Sequence, residues 1–319
     1  MAGSGDTQLG QWLEMLLSPD EGDRLVAVKT LQHLGDEESI DALIAALQDQ
    51  SIAVQKIAVT ALWEFANPAG VPALLKCLAS SEEEIRSEAL SALNELISSE
   101  HLPLLLDALQ QDDFHLQFNI LILLRKIHNA QCLEPVLSFF KSKHPQLREV
   151  AVTTLSYLNQ IERCPPALLL MQDTDDSVRR AAALTLGHLA DEEAILLLAQ
   201  ALISDPDWQV RRNAAKSLAI HVNPEVIFAV EKAIKDEHWQ VRKTAIQLLQ
   251  KIPDATLLST TIEALADEYS DVRKEAAIAL GHLGKSEALN ALQQALNDPD
   301  RDVCIYAQRA IQQIQQAHS

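Results

Sequence analysis

Apolar residues recur along the chain with a helical period. In AVQKIAVTALWEF (53–65) and EEIRSEALSALNEL (83–96) they fall 0, 4, 8 and 11 places from an opening Val, Ile or Leu, which traces one stripe of an α-helix. The opening residues are Val54, Ile85, Leu116, Leu147, Val178, Val210, Val241, Val272 and Val303, and every step is 31 residues except one of 32. A degenerate first copy, DRLVAVKTLQHLG, begins at Asp23 and brings the count to ten. Four places on stand Ala58, Ala89, Ile120, Ala151, Ala182, Ala214, Ala245, Ala276 and Ala307; eight places on stand Leu62, Leu93, Leu124, Leu155, Leu186, Leu218, Leu249, Leu280 and Ile311. The alanines let a neighbouring helix approach, and the larger residues fill the seam.

A second apolar stretch precedes each stripe, as in SIDALIAALQ, ILLLAQALI and LNALQQAL. It often opens with proline (Pro72, Pro103, Pro135, Pro165, Pro224), which suits a first helical turn. Acidic or proline-containing turns such as DTDDS, DPDW and DPDR separate the two stretches. Each period therefore predicts a helical hairpin that buries its apolar face only by stacking on its neighbours. The fold predicted is all-α: a right-handed α-solenoid, or superhelix, of about ten hairpins with a 31-residue period. It is expected to run as a single array over 1–319 behind a flexible segment 1–8. The repeats fall near 9–36, 37–68, 69–99, 100–130, 131–161, 162–192, 193–224, 225–255, 256–286 and 287–316.

Composition narrows the function classes. The chain is 48% hydrophobic, yet no run of ~18 apolar residues occurs, so no transmembrane segment is expected. MAGSGDTQLG lacks the basic and apolar regions of an export signal, which points to the cytoplasm. Cys77, Cys132, Cys164 and Cys304 are scattered and form no CxxC, a usage that suits a reducing compartment. A net charge of −19 argues against nucleic acid as a partner, since phosphate binding needs a basic footprint.

DTDDSVRRAAALTLGHLADEEA and EYSDVRKEAAIALGHLGKSEA resemble HEAT repeats of the phycobilisome-lyase HEAT-like type, and the resemblance runs along essentially the whole chain. It implies a solenoid whose second helices line a concave wall. The functions it implies are those of that family: adaptors in assembly or degradation, bilin lyase subunits that attach phycobilin chromophores to phycobiliproteins, and a cyanobacterial partner of the A-type iron–sulfur scaffold protein. Deoxyhypusine hydroxylase, of the same superfamily, builds a di-iron site from His-Glu dipeptides. Here Glu100-His101 and Glu237-His238 run in reverse order, which argues against that site.

On such second helices, positions +2, +6 and +9 from the opening residue point away from the seam. In the N-terminal third they are bulky: Trp63 at +9, then Phe118 at +2 and Ile122 at +6, with Phe114 two places before Leu116. Ser87, Ser91 and Asn94 between them are small. Two assignments fit, a partner-binding groove or rings buried by tight stacking. In the C-terminal half Arg179, Arg211, Arg242 and Arg273 stand at +1, where bonds to the acidic turns at Asp176, Asp207 and Asp271 are expected. Arg180, Arg212, Lys243 and Lys274 at +2 form a basic row, read either as a ridge for a partly acidic partner surface or ligand carboxylate, or as a solvated face. Trp208 and Trp239 sit two places before Val210 and Val241, as spacers between hairpins or as anchors for a partner, with the anchor preferred.

Sites for chemistry are sparse. No Gly-rich phosphate loop, GxSxG, HExxH or paired-Cys motif occurs, so no catalytic, cofactor-binding or metal-binding residue is assigned. His33, His188 and His282 share a repeat position, and His221 is read as a satisfied seam histidine. A bilin or an iron–sulfur cluster is expected only through a partner. The function expected is a non-enzymatic protein–protein scaffold acting as a monomer or in a heteromeric complex, with a bilin lyase-like role as the enzymatic alternative.

Overall fold

The computed structural model describes residues 5–158, 163–189, 191–221 and 223–318. Of the segment 1–8 expected to be flexible, residues 1–4 lie outside the described residues, and a helix begins at Gly5. The chain divides into two compact units, Met1–Ser142 with Tyr157–Asn159, and Lys143–Ser156 with Gln160–Ser319. In the N-terminal unit the α-helices are α1 (Gly5–Met15), α2 (Glu21–Leu34), α3 (Ile40–Ala46), α4 (Ile52–Phe65), α5 (Val71–Cys77), α6 (Glu83–Leu96), α7 (Leu102–Leu109), α8 (Phe114–Ile127) and α9 (Leu133–Ser138). In the C-terminal unit they are α10 (Pro145–Leu155), α11 (Pro165–Leu168), α12 (Asp176–Thr185), α13 (Glu192–Ser204), α14 (Trp208–His221), α15 (Ile227–Ala233), α16 (Trp239–Lys251), α17 (Leu258–Glu263), α18 (Ser270–Leu283), α19 (Leu289–Ala295) and α20 (Arg301–Ala317). Short 3₁₀ turns join them, and all regular structure among the described residues is helical.

Each unit is an α-solenoid stack. Successive second helices pack directly on one another: α2 on α4, α4 on α6 and α6 on α8 in the first unit, then α10 through α12, α14, α16 and α18 to α20 in the second. All of the opening, +4 and +8 residues named above from Val54 to Ile311 are buried. The sequence stripe is thus the seam. Helix starts are set by short polar side chains: Asp20, Ser51 and Asp113 accept from backbone N–H groups in the first turns of α2, α4 and α8. Gly35 and Gly284 close α2 and α18 in the left-handed region, both at φ 64°. Ala66 closes α4 in the same region at φ 51°, where a Cβ is strained. Ala66→Gly should therefore raise the unfolding free energy by about 0.5–1 kcal/mol, read as a shift in urea midpoint at constant slope.

Candidate functional site

The C-terminal unit is stapled by arginines that each bridge two turns. Arg148, Arg179, Arg211, Arg242 and Arg273 point Nε at one oxygen of Asp173, Asp205, Asp236, Asp267 and Asp298, at 2.6–2.9 Å. In each pair Nη2 donates to the second carboxylate oxygen at 2.7–3.1 Å, giving a planar fork. The Nη1 groups of Arg179, Arg211, Arg242 and Arg273 donate to carbonyl oxygens of Asp173, Asp205, Asp236 and Asp267, in the turn preceding their own helix. Each aspartate also accepts from the backbone N–H two residues on, at 2.8–2.9 Å. One side chain thus fixes its own turn and the turn of the next repeat. The +1 arginines link successive repeats as expected, but through the first aspartate of the next repeat's turn and not through Asp176, Asp207 or Asp271. In the N-terminal unit Arg24–Asp49 repeats the arrangement, whereas Gln55, Arg86 and Gln117 bond to backbone carbonyls of their own turns.

The aspartates carry a pH signature. Hydrogen bonds from Arg273 hold Asp298, and those from Arg180 hold Asp207, below the usual carboxylate range despite opposing desolvation. A carboxylate lowered in the folded state contributes stability that is complete above its unfolded value and lost as pH falls through the folded one. Thermal melts should be flat from neutral pH to about pH 5 and fall steeply below about pH 4. Asp298→Asn should lower the neutral-pH melting temperature and shallow the acid limb.

The +2 row is mostly engaged. Arg180 pairs with Asp176 on its own helix and with Asp207 of the next repeat at 2.7 Å. Lys243 reaches Asp271 at 2.9 Å, and Lys274 reaches the same carboxylate at 3.2 Å. Arg212 differs: it donates to Gln240 Oε1 at 3.5 Å and Asn213 Oδ1 at 3.3 Å, both neutral and long.

Trp208 and Trp239 belong to a ladder of rings at successive helix entrances. Trp208 stacks on His238 with centroids 3.8 Å apart, His238 on Trp239 at 6.4 Å, and Trp239 on Tyr269 at 5.1 Å, all within 16° of parallel. Arg212 lies over Trp208, Lys243 over Trp239 and Arg242 over Tyr269, at 5.2, 5.9 and 5.8 Å from the ring centroids. Both indoles are half-buried, and Tyr269 is 41% exposed. An indole two places before the opening residue meets a ring three places before the next one. His238 and Tyr269 were missed in the sequence because they are neither apolar stripe nor tryptophan; the 30-residue offset shared by 208–238 and 239–269 is the signal that finds them.

In the N-terminal unit Trp63, Phe114, Phe118 and Ile122 are all half-buried. The Trp63 indole N–H donates to Glu95 Oε2 on α6 at 2.8 Å, and Phe114 stacks on Phe118 at 6.1 Å. Ser87, Ser91 and Asn94, on α6 with Glu95, are exposed. His221, read as a satisfied seam residue, is half-buried with an Nε2 that makes no hydrogen bond among the described residues. Burial raises the Cys77 thiol to about 11 and the Cys132 thiol above its ordinary value, so both are poor nucleophiles. Cys304, at the +1 position of the last repeat, donates to the Asp298 carbonyl oxygen at 3.2 Å. Among the described residues no three His, Cys, Asp or Glu side chains are grouped to hold a metal ion, and no helix is long and apolar enough to cross a membrane.

Solved structures share this architecture. An engineered protein aligns at 22% identity over 96% of this chain and 98% of its own, with a TM-score of 0.55. The Escherichia coli protein YibA aligns at 18% identity over 90% and 96%, with a TM-score of 0.52. Kap95p, solved bound to RanGDP, aligns at 15% identity with a TM-score of 0.65; 98% of this chain is covered, and it spans about half, 51%, of the Kap95p chain. Among proteins of curated function none matches. A family model described as HEAT repeats matches residues 9–94, 40–116, 164–234 and 227–312, most of the sequence. The chain belongs to the HEAT-repeat family.

Proposed function

We propose that the chain is a non-enzymatic protein-interaction scaffold that holds a partner on the second-helix face of its C-terminal unit. The observation that carries this reading is the make-up of that face. Arg212, Lys216 and Lys251 stand along α14 and α16 with no carboxylate partner among the described residues, flanked by the aspartate-paired Arg180, Lys243 and Lys274, and Leu184 and Ile220 are left 44% and 56% exposed, on a chain of net charge −19. A cationic, partly apolar surface on an acidic protein suits a protein partner with acidic groups. Kap95p, a structural neighbour of the same architecture, is solved bound to RanGDP. The ring ladder and the arginine staples support the reading by stiffening the face, so that less ordering entropy is lost on binding.

Within this class we propose a partner in iron–sulfur assembly, an A-type scaffold protein, or in phycobilisome assembly; support for these comes from the resemblance of residues 173–194 and 268–288 alone. A binding assay against a purified A-type scaffold tests the first, and absence of any shift removes it. The bilin lyase alternative draws on Arg180, Arg212 and Lys243 beside Trp208 and Trp239. Arg180 and Lys243 are already paired with aspartates and the rings with one another, which weighs against it. Co-expression with bilin-forming enzymes should give a colourless protein, and visible absorbance that copurifies with the chain would favour the lyase.

The scaffold reading is tested by affinity capture from native lysate with the wild-type chain and with Trp208→Ala/Trp239→Ala. The expected result is loss of the captured partner with far-ultraviolet helicity retained, while Trp63→Ala captures normally. Equal capture by all three would reject the ladder face as the docking surface.

A further inference from the structure

The six cations of the second-helix face are not equivalent. Arg180, Lys243 and Lys274 are neutralised by carboxylates of their own or the next repeat. The aspartate that would meet Arg212 is replaced by Gln240, and the buried Nε of Arg212 has no acceptor among the described residues. One turn along α14, exposed Lys216 pairs with no acidic side chain among the described residues. Desolvation, and then the charge of Arg212, lowers its ammonium below the usual lysine value. A further turn along stands exposed Ile220. Residues 212, 216 and 220 are spaced by four, so they share one face of α14 at intervals of about 6 Å.

We propose that α14 is the docking line for an extended acidic segment of a protein partner, with two carboxylates two residues apart over Arg212 and Lys216 and an apolar residue two further on over Ile220. This inference rests on the scaffold reading and names its partner chemistry. Alternate residues of an extended chain project on one side at about 6.6 Å, close to the spacing of successive turns on the helix. Arg212 would exchange two long neutral contacts for a charge-assisted fork, and the mutual repulsion of Arg212 and Lys216 would be relieved. Exposed Leu184 on α12 holds the same repeat position, +6, as Lys216 on α14.

The probe is a fluorescein-labelled peptide, Gly-Glu-Ser-Glu-Ser-Leu-Gly, titrated with the full chain by anisotropy. Saturable binding is expected, weakened about tenfold or more when both glutamates are replaced by glutamine, and about tenfold by Arg212→Gln or Lys216→Gln. Lys29→Gln in the N-terminal unit should leave the affinity unchanged. The Lys216 amine, followed by NMR, should titrate at higher pH with the peptide bound. The proposal is overturned if the acidic and glutamine peptides bind alike, if Arg212→Gln/Lys216→Gln binds as the wild type does, or if a phosphoserine version binds more than about a hundredfold tighter. Failure of the peptide while lysate capture still depends on Trp208 and Trp239 removes this docking line and leaves the scaffold reading standing; failure of both removes both.

Discussion

Replacing Arg211 with methionine should lower the unfolding free energy by about 3–5 kcal/mol, because it leaves the Asp236 carboxylate, its side chain only 10% exposed, without its counter-charge. Arg211 is the one buried member of the five staples, 6% exposed, with its fork on Asp236 and Nη1 on the Asp205 carbonyl. It also bonds Glu237, which is almost wholly exposed and adds little. Adding Asp236→Leu to Arg211→Met should recover a large part of the loss, since two apolar groups of matching size often replace a buried ion pair at little cost. Urea unfolding of the two variants checks this. A single substitution costing under about 1 kcal/mol would mean that the staples are surface ion pairs of the ordinary weak kind.

Gly187→Ala should cost about 1–3 kcal/mol by overpacking. A Cβ built there lies 2.5 Å from Ser217 Oγ, 2.7 Å from its Cβ and 3.0 Å from its Cα. The Ser217 hydroxyl cannot swing away freely, because it donates to the Ala183 carbonyl at 2.7 Å across the seam. Ser217→Gly in the same chain removes the two nearest atoms and should restore part of the stability. Gly10→Ala, with nothing within 4 Å of the added methyl, serves as the contrast and should stabilise α1 by up to about 1 kcal/mol. Thermal melts of the four proteins read out both effects; Gly187→Ala melting at the wild-type temperature would show that α12 and α14 can move apart without penalty.

The fold was readable because its period is simple: a Val-x-x-x-Ala-x-x-x-Leu stripe repeated at 31 residues admits only helices that share a seam. What the stripe does not encode is the offset at which one repeat meets the next. The +1 arginines were expected to link successive repeats through Asp176, Asp207 and Asp271; they do link them, but the carboxylate that takes Arg211 is Asp236, 25 residues on. The basic row looked unpaired because its partners, 27 or 28 residues away for Arg180 and Lys243, are local to it only after stacking. The exception at Arg212 is visible in the sequence once that offset is known, since Gln240 occupies the place that Asp271 fills for Lys243. The ring ladder was half-seen for the same reason: both tryptophans stood out, while His238 and Tyr269 became relevant only when the entrances of α14, α16 and α18 were brought side by side.

The central claim is that the C-terminal unit presents α14 and its ladder as the surface a partner covers. Amide hydrogen exchange of the full chain, with and without the captured partner, tests it most directly. The account predicts new protection centred on residues 208–221, extending into α12 and α16, with the first helices α13 and α15 unchanged. Protection confined to first helices or to the N-terminal unit, with 208–221 exchanging as in the free chain, would contradict it.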